Sequence, residues 1–370
     1  MHRLGGTDPG QRHQSGLQLG ALGGIDILGG QAHRLGDDRH MPLTDLALGQ
    51  RVRGGADLVE RGADEETRTA AIGHTIVRRE PVGVVAAITP WNYPQALAAM
   101  KIAPALAAGC TMVLKAAPET ALDALVFAEV AHEAGLPAGV LNVLAGGPQA
   151  GAHLVSHPGV DKVAFTGSTA AGRTIAETCG RLLRPVTLEL GGKSAAIILD
   201  DADLDATVKG LRSASFVNNG QTCHLSSRIL APRSRYGEVV DAVAALADGL
   251  VVGDPLQKST DIGPLVSKRQ QQRVLEYIEV GRSEAKLVAG GAVPADQPQG
   301  WFVAPTVFAD VDNSARIAQE EIFGPVLTVI PYGSDQEAID IANDSEFGLG
   351  GTVWSQDVDR ATDIARAVHT

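Results

Sequence analysis

The sequence predicts an α/β fold with mainly parallel sheets. Three observations predict it. Short unbroken apolar runs recur from residue 82 onward, as strands buried on both faces require. Between them lie stretches with apolar residues at helical spacing. Glycine and proline punctuate the junctions. Strands alternating with helices imply right-handed crossovers and hence parallel neighbours.

In chain order, residues 82–88 form the first apolar run and Met112-Val113-Leu114 the second. Leu122, Leu125, Val126 and Val130 then share one helical face, with Asp123, Glu129, His132 and Glu133 off it. Gly135-Leu136-Pro137 stops that helix with a C-terminal glycine followed by proline. Residues 140–144, 162–165, 186–188 and 195–199 read as further short strands. Residues 237–250 read as another helix, and 322–330 contain a strand after Gly324-Pro325. There is no internal repeat.

Residues 1–73 differ. They are rich in Gly, Arg, His and Asp, with glycine pairs such as Gly5-Gly6 and Gly54-Gly55, and show no sustained period. Each interior glycine costs a helix about 1 kcal/mol, so a poorly ordered extension is expected there.

The chain has 370 residues, room for two domains. It is 44% hydrophobic and 20% charged, a balance that supports a large core and argues against wholesale disorder. The net charge of −12 repels polyphosphate, so nucleic acid is not an expected partner. No apolar stretch reaches the roughly 18 residues that span a bilayer, and the start lacks a signal-peptide pattern. Cys110, Cys179 and Cys223 are too few and too scattered for a disulfide framework or a metal site. A reducing, cytoplasmic setting suits a usable thiol.

Six runs carry candidate chemistry. Thr89-Pro90-Trp91-Asn92-Tyr93-Pro94 follows the first strand, where ligands bind in an open α/β sheet. Asn92 offers an amide to a developing oxyanion there. Lys115 ends the second strand, placed to hold a phosphate or a ribose hydroxyl. Phe165-Thr166-Gly167-Ser168 links a strand to a helix whose N-terminus presents free N–H groups, although it is not a GxGxxG fingerprint. Glu189 lies between an apolar strand and Gly191-Gly192, as a water-activating base would. Cys223, in Gly220-Gln221-Thr222-Cys223, has polar neighbours, whereas Cys110 and Cys179 look structural. In Glu320-Glu321-Ile322-Phe323-Gly324-Pro325, Glu321 has the acceptors for a ribose diol and Phe323 a face for an aromatic ring. Each run alone also has a plain structural explanation: a capped turn, a surface lysine, an acidic loop.

Together and in this order, Thr-Pro-Trp-Asn, Phe-Thr-Gly-Ser, Glu-Leu-Gly-Gly-Lys, Gly-Gln-x-Cys and Glu-Glu-Ile-Phe-Gly-Pro resemble the aldehyde dehydrogenase superfamily over about residues 74–370. The resemblance implies a Rossmann-like cofactor domain over residues 74–190 and a second α/β catalytic domain over 191–370, with the family's terminal segments missing at both ends. It implies Cys223 as nucleophile, Glu189 as general base and Asn92 as oxyanion donor, with Lys101 close by. Trp91, Lys115, Gly147, Gly167, Ser168, Glu321 and Phe323 match cofactor-contacting positions. Pro118 stands where the family often has an NAD-selecting Glu, so NAD or NADP is expected. A carboxylate at Glu189 favours hydrolysis to the free acid over transfer to coenzyme A. The implied partners are a small aldehyde and further copies of the chain. The rival expectation is an inactive fragment that still binds dinucleotide or a partner.

Overall fold

The structure is a computed structural model that describes Leu17–Gly20 (β1) and residues 64–369. Most of the expected N-terminal extension lies outside the described residues. Its end is regular: Asp64–Ala70 (β2) and Gly73–Arg79 (β3) pair as an antiparallel hairpin. Polar residues such as Glu65, Glu66, Thr67, Arg68 and Thr69 give β2 no apolar alternation to read. Cross-strand ion pairs, Arg78–Glu65 at 2.8 Å and Arg79–Glu66 at 3.7 Å, lie on its surface. Exposed pairs contribute at most about 1 kcal/mol each, so the backbone ladder carries the hairpin.

The chain divides into two compact units, Asp26–Leu190 and Met1–Ile25 with Gly191–Thr370. In the first, β4 (Val84–Ile88), β5 (Thr111–Ala116), β6 (Leu141–Ala145), β7 (Lys162–Thr166) and β8 (Val186–Glu189) form a parallel sheet. Its order is β6-β5-β4-β7-β8. The chain winds outward from β4 in one direction and then returns to build the other side. α1 (Pro94–Ala107) and α2 (Ala121–Glu133) cover one face. α3 (Pro148–Ser156) and α4 (Thr169–Arg181) cover the other. Strand alternation divides the core accordingly. Val85, Ala87, Met112 and Leu114 meet Ala98 and Ile102 of α1, while Ala86, Ile88, Val163 and Phe165 meet Leu154, Val155 and Cys179.

The helical face read from the sequence does not face this core. On α2, Leu122, Leu125 and Val126 are 80%, 40% and 42% exposed, and Ala124 is the residue buried. Apolar residues run right round α2, so spacing alone does not select the packed face. Phe127 packs beside Ala124, three residues on, and that pair sets the orientation.

In the second unit, β9 (Ser194–Ile198), β10 (Ser226–Pro232), β12 (Thr306–Ala309), β13 (Val326–Tyr332) and β14 (Gly350–Trp354) run parallel. β1 and β11 (Lys286–Ala289) pair antiparallel at the two edges, giving the order β1-β14-β9-β10-β13-β12-β11. α5 (Leu204–Ser215) and α6 (Tyr236–Gly249) pack on one face. α7 (Lys268–Glu284), α8 (Arg316–Gln319), α9 (Asp335–Asn343) and α10 (Val358–Ala367) pack on the other.

Arg228 is 2% exposed on β10. Its guanidinium donates to the carbonyls of Lys193 (2.8 Å), Ile341 (2.8 Å) and Ala342 (2.8 Å), and to Asn313 Oδ1 (3.1 Å). It ties the start of β9 to the end of α9. Burial pulls it down to about 10, with the Asp344 carboxylate opposing. Arg228→Met should leave those carbonyls unpaired and destabilise the protein by about 3 kcal/mol or more. Denaturant melts check this: an unchanged midpoint would dismiss the strut.

Candidate active site

The carboxyl ends of the first unit's strands lie level. Ile88 pairs with Lys115 and Phe165, Lys115 with Leu144, and Thr166 with Glu189. Eight of the sequence-predicted residues come to this edge. Trp91 and Asn92 lie in the turn between β4 and α1, and Lys101 lies on α1. Lys115 and Glu189 are on β5 and β8. Gly147 is the N-cap of α3, and Ser168 that of α4, where its hydroxyl accepts from Ala171 N at 3.3 Å. Gly167 donates its N–H to the Glu189 carbonyl (3.0 Å), and Thr89 donates to that of Lys115 (3.1 Å). These bonds stitch neighbouring strand ends together.

The winding reverses between β4 and β7, and ligands of open α/β sheets bind at such a switch point. Two buried hydroxyls beside it, Thr166 Oγ1 and Thr169 Oγ1, have no protein partner among the described residues. Buried hydroxyls need partners, so the β7–α4 turn has polar capacity to spare for a ligand. Burial pulls the Lys115 amine down, with Glu119 opposing. Burial also pulls the Lys101 amine down, and the opposing charge is that of Glu189. The fold thus brings Lys101 and Glu189 within electrostatic reach.

In the second unit, Cys223 follows three successive left-handed residues, Asn218 (φ 54°), Asn219 (φ 59°) and Gly220 (φ 75°). Asn tolerates this region and glycine favours it. Side chains clamp the turn. Asn219 donates to the Pro264 carbonyl (3.0 Å) and accepts from Gly263 N (2.7 Å). Gln221 Oε1 accepts from Val266 N at 3.0 Å. The Cys223 thiol is half-buried, whereas Cys110 and Cys179 are buried. A Cβ on Gly192 would overlap the Cys223 carbonyl oxygen, and one on Gly220 would overlap the Gly324 carbonyl. Both glycines are required by contact between backbones.

Glu321 and Phe323 occupy the same corner. Glu321 Oε1 accepts from Gly192 N at 3.0 Å. Phe323 is held at φ 62°, and Gln270 on α7 donates to its carbonyl at 2.8 Å. Arg273 donates to the Glu321 carbonyl at 2.6 Å. The preceding Glu320 takes both Arg316 and the Tyr277 hydroxyl, at 3.0 Å and 2.5 Å, and they hold its carboxyl down at about 2. Burial pushes Glu321 the other way, up from the usual carboxylate range.

Among the described residues no cluster of His, Cys, Asp and Glu could hold a metal, and no helix is long and apolar enough to cross a membrane.

A sequence model of the aldehyde dehydrogenase family matches residues 48–370. This chain belongs to that family. The match begins upstream of residue 74, so the family pattern includes β2, which composition had assigned to an extension. Geranial dehydrogenase of Castellaniella defragrans is 60% identical over 85% of this chain and 66% of its own length. The chloroplastic betaine aldehyde dehydrogenase of Beta vulgaris is 44% identical over 80% of this chain and 59% of its own. The chain thus spans less than two thirds of these relatives. The crystal structure of Mycobacterium tuberculosis aldehyde dehydrogenase complexed with NAD+ superposes with a TM-score of 0.82 at 49% identity, over 89% of this chain and 68% of that one.

Four residues of this aldehyde dehydrogenase corner were given no role by the sequence reading, Lys193 first among them. Lys193 ends the Glu-Leu-Gly-Gly-Lys run and is 2% exposed. It lines a small polar cavity with Gly192, Thr222, Glu321 and Phe323. A lysine after a glycine pair reads as a surface residue, and nothing in its spacing announces burial. Arg228, Gln270 and Arg273 escaped likewise, because they act on backbone carbonyls that no motif records.

Gly192→Ala should push the Cys223 backbone aside. Such an overlap in a packed corner should destabilise the protein by about 1–3 kcal/mol, read as a lower denaturant midpoint. An unchanged midpoint in this variant would refute the close contact.

Proposed function

We propose that this chain oxidises an aldehyde to a carboxylic acid with NAD(P)+ as hydride acceptor. One observation carries the proposal: a chain of this family carries Asn92, Glu189 and Cys223 within the motifs Thr-Pro-Trp-Asn, Glu-Leu-Gly-Gly-Lys and Gly-Gln-x-Cys. Glu189 stands at the level end of a parallel sheet, and Cys223 follows a clamped left-handed turn.

The residues fit a dinucleotide. The first unit offers a switch point, the N-terminus of α4, and the spare hydroxyls of Thr166 and Thr169. Lys115, Trp91, Gly147, Gly167 and Ser168 would hold it there, with Glu321 at a ribose diol and Phe323 against a ring. When bound, NAD(P)+ supplies the hydride acceptor.

The protein's own part follows from its side chains. The Cys223 sulfur adds to the aldehyde carbon to give a thiohemiacetal. Its oxyanion is stabilised by the Asn92 amide and the Cys223 N–H. Departure of the carbonyl hydrogen as hydride leaves a thioester on sulfur. Glu189 then takes a proton from water as it attacks the thioester carbon. Collapse expels the Cys223 thiolate and releases the acid. Lys101 lies within electrostatic reach of Glu189. A carboxylate at this position supports hydrolysis over transfer to coenzyme A.

Identity of 60% to a geranial dehydrogenase makes geranial the first aldehyde to test. Purified chain with geranial and NAD+, then NADP+, should produce reduced cofactor absorbing near ~340 nm. No turnover despite dinucleotide binding would refute the proposed activity. Cys223→Ala should abolish turnover. Glu189→Gln should give a burst of about one equivalent and then stall with acyl label on the protein. Steady turnover by Glu189→Gln at the wild-type rate would remove Glu189 from the hydrolytic step.

A further inference from the structure

Lys193 is among the largest fully buried side chains, and its Nζ makes no hydrogen bond among the described residues. Burying an amine without a hydrogen bond is costly. A methionine would fill similar space without that cost, so the charge has a use.

The charged groups facing it are few. Arg228 on β10 and Arg273 on α7 are cations, while Glu320 and Glu321 are the acids. Glu320 is already bound by Arg316 and Tyr277. Arg228 spends its donors on carbonyls, one of them that of Lys193 itself. Glu321 is the acid left to balance the lysine, and its carboxylate is tied to Gly192 N, next to Lys193 in the chain.

We propose that Lys193 is a positioning residue acting through Glu321: its buried ammonium keeps that carboxylate ionised, and so able to accept both hydroxyls of a cofactor ribose. This rests on the assignment of Glu321 to a ribose diol under Proposed function.

The sign follows from the electrostatics. Burial raises Glu321, while the Gly192 N–H, the Lys193 charge and then the Arg273 charge lower it. Burial, with Arg228 beside it, draws Lys193 down to about 7. Glu321 loses its acceptor capacity as pH falls through its pKa, and there Lys193 is protonated and supports it. As pH rises past about 7 the lysine itself loses its charge and that support fades. Removing Lys193 therefore matters on the acid side only.

NAD+ binding to the full chain, measured by protein fluorescence from about pH 5 to about pH 8, tests this. Lys193→Met should move the acid loss of affinity up by about one pH unit, a tenfold weaker complex at the foot of the limb. Affinity near pH 8 should be unchanged. Glu321→Gln should weaken NAD+ and flatten the limb, and adding Lys193→Met to it should do nothing more. Equal weakening at every pH, or effects that add across the two sites, would overturn the proposal while leaving Glu321 as ribose ligand. No effect of Glu321→Gln would instead overturn the ribose assignment, and this proposal with it. If Lys193→Met does not fold, Lys193→Gln takes its place. Failure of both to fold would assign the amine to the fold and overturn the proposal.

Discussion

Backbone pressed against backbone fixes the candidate thiol. Gly192 lies against the Cys223 carbonyl, and Gly220 against that of Gly324. No side chain fits between, so three separate loops converge to within van der Waals contact. One follows the glycine pair before β9, one leads into Cys223, and one carries Glu321 and Phe323. Convergence has a conformational cost. Asn218, Asn219, Gly220 and Phe323 all lie at positive φ, and a bulky residue there stores on the order of 1–3 kcal/mol. The clamps sit where the strain is: Asn219 and Gln221 on the 263–266 segment, and Gln270 on the Phe323 carbonyl. Rigid loops at a reacting centre require such an arrangement, since nothing else holds a left-handed turn in place.

The other unit solves a different problem by simpler means. A parallel sheet already delivers every strand end to one edge, so Glu189, Lys115 and the α4 N-terminus need no strained turn to be neighbours. Backbone bonds between adjacent strand ends hold the edge level. Its unmet demand is chemical: at the switch point the buried hydroxyls of Thr166 and Thr169 have no protein partner among the described residues.

What the sequence made legible follows from this difference. Buried parallel strands are apolar runs, and β4, β5, β7, β8 and β9 all lie within two residues of where those runs were read. The motif residues were legible because their glycines and prolines mark the turns. The α2 face was not, because apolar residues surround that helix and only Ala124 and Phe127 meet the sheet. The β2–β3 hairpin was not, because its strands carry charges in place of an apolar alternation. Arg228, Gln270 and Arg273 bond carbonyls, and a carbonyl has no letter in a sequence.

Lys193 and Arg228 show how buried cations separate by role. Both are 2% exposed, and the Arg228 charge lowers the affinity of Lys193 for a proton. Arg228 meets four acceptors in fixed directions, which suits a planar fork with five donors. Its charge is consumed in holding loops together. The Lys193 amine meets none among the described residues, and a point charge on a flexible stem is poorly suited to be a strut. A cation kept in the interior without bonds acts at a distance, through its field. The acid not otherwise engaged within that field is Glu321, whose oxygen is bound to the adjacent residue's N–H. A field acts on the partner's charge without fixing its direction, so it lowers the partner's affinity for a proton instead of setting its geometry. At Glu321 this opposes the effect of burial, which raises the carboxylate.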